Sequence, residues 1–201
     1  QQLFATPLVE LVCAVVDWLV DPFDPERTRD LFDDEACAFL RTTPEESPIN
    51  HSPKEVVADN DYQLPAMTDE TAFPPAAESF IDGLRTLATR QARHASDPGT
   101  LVLEEIIATL ELAADPLGLV GDAERCLTII DALLDHVSEW EGTDRYTIDD
   151  LAAICNEYRR DPKHGPTVPV LNTGDYDVVF RTIHNMKGDE ASVVCLADLS
   201  K

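Results

Sequence analysis

The polar segment 184–190 (HNMKGDE) holds the residues of this chain that are best placed to bind a ligand. It lies between two short apolar runs, 178–183 and 193–197, which are rich in β-branched residues and have the length of β-strands. Functional side chains concentrate in loops held by rigid strands, and ligands of open α/β sheets bind at the carboxyl ends of the strands. The sequence therefore predicts a ligand-binding loop at the end of the first of these strands.

The sequence lacks the patterns that would let this chain catalyse a reaction alone. It has no G-x-x-x-x-G-K-[ST] loop to hold phosphates and no Asp-Glu pair at the end of a strand to hold Mg²⁺. It also has no G-x-S-x-G, no H-E-x-x-H and no Cys/His cluster with the spacing of a metal site. We therefore predict no catalytic residue, no metal site and no hydrolysis of ATP by this chain on its own.

The loop and its flanking runs resemble motif V of the UvrD/Rep family of superfamily 1 DNA helicases. The shared pattern is Thr-Ile-His-x-x-Lys-Gly-x-Glu followed by a Val-Val-x-Leu run, and the resemblance covers residues 177–201. The family usually has a leucine and an aromatic residue on either side of the glutamate, where this chain has Asp189 and Ala191. In these helicases ATP lies between two RecA-like domains, and motif V belongs to the second of them.

The resemblance implies a role for each polar residue of the motif. Glu190 is expected to hydrogen-bond the ribose of ATP. Gly188 would allow a close approach of the backbone, and Lys187 would contact either ligand or anchor the loop. Thr182 and His184 are expected to donate hydrogen bonds to DNA phosphates. Without the motif, His184 would be interpreted as a histidine that closes a strand with a backbone hydrogen bond.

A second pattern, near the N-terminus, resembles the start of the helical insertion of the same helicases, which is called subdomain 2B. It consists of Phe-x-x-Pro-Leu-Val, a helix, and then Leu-Val-Asp-Pro-Phe-Asp-Pro. By this resemblance, residues 1–6 end a strand of the RecA-like domain 2A, residues 7–166 form the insertion, and residues 167–201 return to domain 2A. The predicted fold is mainly α: a helical 2B-like subdomain, with about three short strands at the C-terminus that belong to a truncated RecA-like α/β domain.

Apolar residues at helical spacing and capping signals predict the helices of this insertion. The first begins at Pro7, the second follows a cap and proline at 24–25, and later helices cover 35–40, 76–94, 99–114, 122–140 and a stretch after 147. Segment 41–75 differs because it holds six prolines and many acidic residues. Its composition predicts a surface loop or a partly disordered segment, in which Pro53–Ala58 could form a short helix.

The net charge of −24, from 39 acidic and 15 basic residues, restricts the conditions in which the chain can fold. Such an excess destabilises the compact state through self-repulsion, which high salt screens. Because the acidic residues are spread along the whole chain, we expect a halophilic source; the alternative is an acidic protein that avoids nucleic acid. In high salt, counterion release contributes little to DNA binding, so a halophilic DNA enzyme depends on stacking, hydrogen bonds and a few local cations.

Two groups of basic residues are candidates for contact with a DNA backbone. The first group lies late in one helix and consists of Arg85, Arg90, Arg93 and His94. Its preferred interpretation is that it complements the helix dipole. The second group lies in the stretch 159–165, which could equally be an ordinary linker.

The five cysteines are widely spaced and form no C-x-x-C pair, which predicts buried structural thiols in a reducing compartment. The sequence has no signal peptide and no apolar run long enough to span a membrane, so we expect a cytoplasmic protein without a membrane partner. Because the chain does not begin with Met and ends shortly after a predicted strand, we also expect it to be a piece of a longer protein.

Two functions from different classes are compatible with these patterns. The first is a fragment of an ATP-dependent 3′→5′ DNA helicase of repair or recombination, which supplies subdomain 2B and motif V. Its parent would use ATP and Mg²⁺ together with a missing N-terminal RecA-like domain, and would act on single-stranded DNA and duplex junctions. The second is a non-enzymatic helical protein-interaction module in which the match to motif V arose by chance.

Overall fold

The computed structural model describes residues 2–41, 51–67, 73, 75–94, 97–141 and 147–168. These residues are mainly helical and belong to one compact unit, Gln1–Pro169. The prediction of a mainly α fold is confirmed for this part of the chain. The predicted C-terminal strands and the motif between them lie almost entirely outside the described residues and stay predictions.

Seven α-helices and five short 3-10 helices lie within the described residues. The α-helices are α1 (Pro7–Leu19), α2 (Pro25–Asp33), α3 (Pro53–Ala58), α4 (Pro75–His94), α5 (Gly99–Thr109), α6 (Ala123–Glu141) and α7 (Ile148–Arg160). The 3-10 helices cover Leu3–Ala5, Glu35–Arg41, Leu64–Ala66, Leu112–Ala114 and Pro162–His164. Residues 1–6 were expected to end a strand; in the structure Gln2 forms an isolated antiparallel bridge and a 3-10 turn follows it.

Helix α1 is the centre of the unit, and α2, α4, α5, α6 and α7 all pack against it. Thr6 begins the helix by accepting a hydrogen bond from the N–H of Val9 over 3.4 Å, and Pro7 occupies the first helical position as predicted. The sequence predicts one apolar stripe, yet Val9, Cys13 and Ala14, which lie outside that stripe, are buried as well. A helix that is apolar on nearly every side is surrounded by other elements, and α1 is such a helix.

A buried polar contact fixes α2 on α1. Asp24 caps α2 as predicted, and its carboxylate accepts a hydrogen bond from the N–H of Glu26 over 2.9 Å. The indole N–H of Trp18 donates to the hydroxyl oxygen of Thr28 over 3.1 Å, and both residues are buried. A buried indole N–H without a partner would destabilise the fold, so Thr28 sets the position of α2 along α1.

The described part of segment 41–75 packs more closely than its composition predicts. Ser52 begins α3 with a capping box: its hydroxyl accepts from the N–H of Glu55 over 3.3 Å, and the Glu55 carboxylate accepts from the N–H of Ser52 over 2.6 Å. Val57 and Leu64 are fully buried in the core. The short helix is confirmed, but the expectation of a surface loop does not hold for residues 51–67, where a few apolar side chains anchor an acidic segment.

Helices α4 and α5 approach closely at Gly83. A Cβ atom added there would lie 2.6 Å from Cδ2 of Leu110 and 3.2 Å from the carbonyl oxygen of Thr109. Helix α5 ends at Thr109 rather than at the predicted Ala114, because Glu111 adopts a left-handed conformation with φ of 52°. A left-handed residue ends the helical hydrogen-bond pattern and starts a separate 3-10 turn.

Asp115 holds the connection from this turn to α6. Its carboxylate accepts hydrogen bonds from three backbone N–H groups, those of Leu119 (2.7 Å), Val120 (3.1 Å) and Gly121 (2.6 Å). Asp115 itself has φ of 50°, a conformation that Asp tolerates better than most residues. The start of α6 is therefore fixed by side-chain hydrogen bonds rather than by hydrophobic contacts alone.

Helix α7 begins at the capping box that the sequence predicts, although Asp150 stands where Glu is usual. The Asp150 carboxylate accepts a hydrogen bond from the N–H of Thr147 over 3.0 Å. Helix α7 then packs along α1, where the side-chain amide of Asn156 donates to the Asp17 carboxylate over 2.8 Å. Because of this packing, α7 lies close to the first residues of the chain.

Candidate functional site

The predicted ligand-binding residues, Thr182, His184, Lys187, Gly188 and Glu190, all lie outside the described residues. Their predicted contacts with ATP and DNA therefore remain predictions. What the structure does describe is the end of the helical unit from which the chain leaves towards this segment. We call the contacts between residues 2–4, 136–140 and 158–167 the junction, and treat it as the candidate functional site.

The junction brings together the first and the last described segments of the chain. Gln2 and Thr167 form an antiparallel bridge, and the N–H of Leu3 donates to the carbonyl oxygen of Pro166 over 2.8 Å. With its amide oriented to satisfy its partners, the Gln2 side chain donates to the carbonyl oxygens of Gly165 (2.9 Å) and Pro166 (3.2 Å). The chain thus enters and leaves the helical unit at neighbouring points.

Four rings pack beneath this backbone pairing. Phe4, which is fully buried, stacks on Tyr158 with ring centres 4.5 Å apart. The imidazole of His136 makes edge contacts with Phe4 (6.1 Å), Tyr158 (5.8 Å) and Trp140 (4.4 Å). Offset and edge-to-face arrangements of this kind are favourable for aromatic pairs. Three separate segments of the chain are therefore joined by ring packing at the base of the unit.

The environment of His136 disfavours the protonated form of its imidazole. Burial among the rings lowers its pKa from the ordinary value, and Glu139, whose carboxylate lies 3.9 Å from Nδ1, opposes that shift. The buried Nε2 atom has no hydrogen-bond partner among the described residues. His136 was not predicted from the sequence; its spacing from Trp140, which places both residues on one face of α6, was the available signal.

The basic residues late in α4 are engaged in contacts within the chain. Arg85 donates to the carbonyl oxygen of Met67 over 2.6 Å and lies 3.3 Å from the Asp82 carboxylate. Arg90 pairs with Glu105 on α5 over 2.5 Å. These two arginines, the members of the group whose side chains the structure describes, tie α4 to its neighbours rather than forming a free cationic surface.

The basic stretch at the end of α7 divides into two kinds of residue. Arg159 is partly buried and pairs with Asp34, which links α7 to the residue after α2. Burial by itself would lower the pKa of Arg159, but the hydrogen bond and the charge of Asp34 raise it, so the guanidinium stays charged. Arg160 and Lys163 are exposed and form no ion pair with any described residue.

An apolar groove of about 480 Å³ lies between α5, the Leu112–Ala114 turn and α6. Its lining includes the apolar residues Ile107, Ala108 and Leu134 and the acidic residues Glu104 and Glu111. A site for a small molecule usually places a few polar groups inside an apolar cavity to orient the ligand. The side chains lining this groove do not include such a set.

No protein-family model matches this chain, and no curated protein or solved structure matches it significantly. The described residues contain no group of His, Cys, Asp and Glu side chains arranged to hold a metal ion. Within the same residues, every helix is too short or too polar to cross a membrane. The geometry of the junction is therefore the main structural observation on which a function can be proposed.

Proposed function

We propose that this chain is part of an ATP-dependent DNA helicase of the UvrD/Rep type. Residues 7–166 would form the helical insertion of subdomain 2B, and residues 177–201 would supply motif V of the second RecA-like domain. The observation that supports this proposal best is the pairing of Gln2 with Thr167. An inserted domain has to leave and rejoin its parent domain at neighbouring points, and the helical unit has its two ends in that arrangement.

The motif residues would connect the nucleotide to the DNA. Glu190 would accept hydrogen bonds from the ribose hydroxyls of ATP, beside Gly188 and Lys187. Thr182 and His184 would donate to phosphate oxygens of single-stranded DNA. Movement of the two RecA-like domains on ATP binding would then shift the strand ends that contact DNA, which couples hydrolysis to stepping along the strand.

The rest of the nucleotide site would come from the missing N-terminal RecA-like domain. This chain has no glycine-rich phosphate loop and no strand-end acidic pair, so the triphosphate and Mg²⁺ would be held by that domain. Hydrolysis of ATP would therefore require the parent protein. The isolated chain would contribute contacts to the ribose and to DNA but would not turn over ATP.

The parent protein would work in high salt. The chain has a net charge of −24 on 201 residues, so its carboxylates repel one another at low ionic strength. Molar salt screens this repulsion because it reduces the Debye length to about 3 Å. Phosphate contacts are weakened under those conditions as well, so DNA binding would depend on short-range hydrogen bonds. We place the helicase in a halophile for this reason, and in DNA repair or recombination because of the motif resemblance.

A helical protein-interaction module is the second candidate function. The apolar groove between α5 and α6 favours it, together with Phe23, Leu101 and Leu127, whose large apolar side chains are about half exposed. Exposed apolar surface can mark an interface with another protein. This function requires neither ATP nor DNA, which makes the two candidates easy to separate.

The decisive experiment measures DNA-stimulated ATPase activity of the full-length parent protein in molar KCl, with this chain alone as the inactive control. Glu190→Ala should raise the KM for ATP because it removes the ribose contact, whereas Asp189→Ala, a neighbouring carboxylate, should leave the KM unchanged. His184→Ala should lower the stimulation by DNA, and Asn185→Ala should not.

Three outcomes would count against the helicase proposal. Absence of ATPase activity from a parent protein with native circular dichroism would favour the interaction module. Full DNA-stimulated activity of both Glu190→Ala and His184→Ala would show that the match to motif V is fortuitous. Equal losses in Asp189→Ala and Glu190→Ala would point to general damage of the loop rather than to a ribose contact.

A further inference from the structure

Arg160 and Lys163 stand out from the other cations of the described residues. Both side chains are exposed, and neither forms an ion pair with a described residue. Each of the other arginines and lysines whose side chains the structure describes takes part in an ion pair or another interaction. In a chain with 39 acidic residues, carboxylate partners are abundant, so two exposed cations that form no ion pair with a described residue are an exception.

The position of these two cations is also distinctive. Arg160 is the last residue of α7, and Lys163 lies in the 3-10 turn that follows it. The chain then reaches Thr167, the residue paired with Gln2 in the junction. Arg160 and Lys163 therefore lie at the end of the helical unit from which the chain continues towards the predicted DNA-contacting residues, Thr182 and His184.

We propose that Arg160 and Lys163 form a contact site for the phosphodiester backbone of DNA on the helical unit. This inference rests on the helicase function proposed above and adds a second set of DNA contacts to it. Guanidinium and ammonium groups donate charge-assisted hydrogen bonds to phosphate oxygens, which carry most of the sequence-independent affinity for DNA. Arg159 takes no part, because its side chain is occupied by Asp34.

The acidic character of the surrounding surface explains why a contact with DNA would be confined to a small site. The helical unit is strongly acidic as a whole, and most of its surface would repel a DNA strand. A strand that follows the junction would meet two exposed cations that pair with no described carboxylate, whereas along α4 it would meet arginines already paired with Asp82 and Glu105. The site would therefore hold the backbone at the point where the helical unit joins the motif-bearing segment.

The test measures DNA binding by the 201-residue chain as a function of KCl concentration, over the range in which circular dichroism shows it folded. Fluorescence anisotropy would follow a labelled single strand, a duplex and a duplex with a single-stranded tail. Arg160→Gln combined with Lys163→Gln should reduce the slope of log K against log [KCl] by about 1.4 on single strands and about 1.8 on duplex, since each lost phosphate contact removes about 0.7 or 0.9. If only one form of DNA shows its expected decrease, the site contacts that form.

A matched control distinguishes the loss of this site from a general effect of net charge on DNA binding. Arg29→Gln combined with Arg90→Gln also removes two positive charges, but from half-exposed arginines that form ion pairs elsewhere. This variant should keep the salt slope of the wild type. An equal decrease in both double variants would overturn the proposal, because it would show a general charge effect. An unchanged slope in the Arg160/Lys163 variant, or no DNA binding by the folded wild-type chain, would overturn it too.

Two further measurements distinguish this inference from the proposed function. Polyglutamate that displaced DNA at equal charge concentration would identify a site for acidic polypeptides and contradict the proposal. In the parent protein, the Arg160/Lys163 variant should need a several-fold higher DNA concentration for half-maximal ATPase stimulation. If DNA stimulates the parent and this variant behaves as wild type, only the inference fails; if the parent has no ATPase activity, the helicase function fails.

Discussion

The backbone N–H of Leu3 donates a hydrogen bond to the carbonyl oxygen of Pro166 over 2.8 Å, so the helical unit is closed at its base. The cost of closing such a long loop grows slowly, by about 0.6 kcal/mol for each doubling of its length. A short backbone pairing with rings packed beneath it is therefore enough to hold the two ends together. The stability of the base depends on how well Phe4 and Tyr158 pack against the segment that carries Pro166.

Gly165 lies where the junction packs closely. A Cβ atom at this position would lie 3.1 Å from Cδ1 of Tyr158 and 3.3 Å from Cδ2 of Phe4. Phe4 is fully buried and Tyr158 packs against His136 and Trp140, so Gly165→Ala should crowd the rings and lower the free energy of unfolding by about 1–3 kcal/mol. Urea unfolding at constant KCl measures this loss, and near-ultraviolet circular dichroism should show a change in the environment of Trp140.

Gly118→Ala is the control for this substitution. No atom lies within 4 Å of a Cβ added at Gly118, but its φ of 63° disfavours alanine. This variant should lose about 1–2 kcal/mol through backbone strain and keep the wild-type aromatic spectrum. A Gly165→Ala variant with unaltered stability and spectrum would contradict the packing that we describe at the junction.

Thr28→Val should destabilise the contact between α1 and α2. The substitution keeps the shape of the side chain but leaves the buried indole N–H of Trp18 without its acceptor, at a cost of about 1–3 kcal/mol. Thr28→Ser keeps the acceptor and should cost about 0.8 kcal/mol for the lost methyl group. In a Trp18→Phe background Thr28→Val should cost clearly less, and equal costs in both backgrounds would show that the hydrogen bond contributes nothing.

The thiols of the described residues should resist modification in the folded protein. Cys13, Cys37, Cys126 and Cys155 are buried, which confirms the prediction of structural thiols. Burial, aided by nearby carboxylates, raises the pKa of Cys37 to about 12 and that of Cys126 to about 11, so little reactive thiolate forms near neutral pH. Burial and the hydrogen bond to Cys155 also raise the pKa of Cys13.

The measurement uses a disulfide reagent on a Cys195→Ser variant, which leaves these four thiols. Native protein in molar KCl should react slowly, and unfolding in urea should release all four within the mixing time of the experiment. A raised pH short of unfolding should accelerate the reaction only weakly. Rapid modification of any thiol in the folded state would mean that one of the helices around α1 opens readily.

Local signals made much of this fold predictable from the sequence. Pro7 at a first helical position, the cap at Asp24 and the capping box at Thr147 each mark a helix start, so the beginnings of three helices follow from a few adjacent residues. The apolar spacing of α1 likewise indicates a helix. Its central position does not follow from that spacing, because the number of neighbours depends on how the rest of the chain folds.

The features that were missed depend on contacts between distant segments. The burial of Val57 and Leu64 in an acidic, proline-rich stretch depends on a core formed by other helices. The early end of α5 depends on the left-handed conformation of Glu111, which no pattern in the sequence marks. The junction joins residues from both ends of the unit, so only the three-dimensional structure shows that His136 is enclosed there. The residues of motif V remain a prediction from the sequence.

His136 should make the stability of the helical unit depend on pH. Burial among Phe4, Tyr158 and Trp140 lowers its pKa in the folded state, so the unfolded chain binds a proton more readily. The stabilisation that depends on neutral His136 is therefore complete above the unfolded pKa of about 6.5 and is lost as the pH falls towards the folded pKa. His136→Phe keeps a ring in the cluster and removes this titration.

The free energy of unfolding of wild type and His136→Phe should be compared in urea from about pH 8 to about pH 5 at constant KCl. Protonation of carboxylates affects both proteins nearly alike, apart from Glu139, so the difference between them reports on His136. Wild type should lose stability relative to His136→Phe as the pH falls below about 6.5. A difference that stays constant over this range, or one of the opposite sign, would show that the imidazole is not enclosed by the rings at the base of the helical unit.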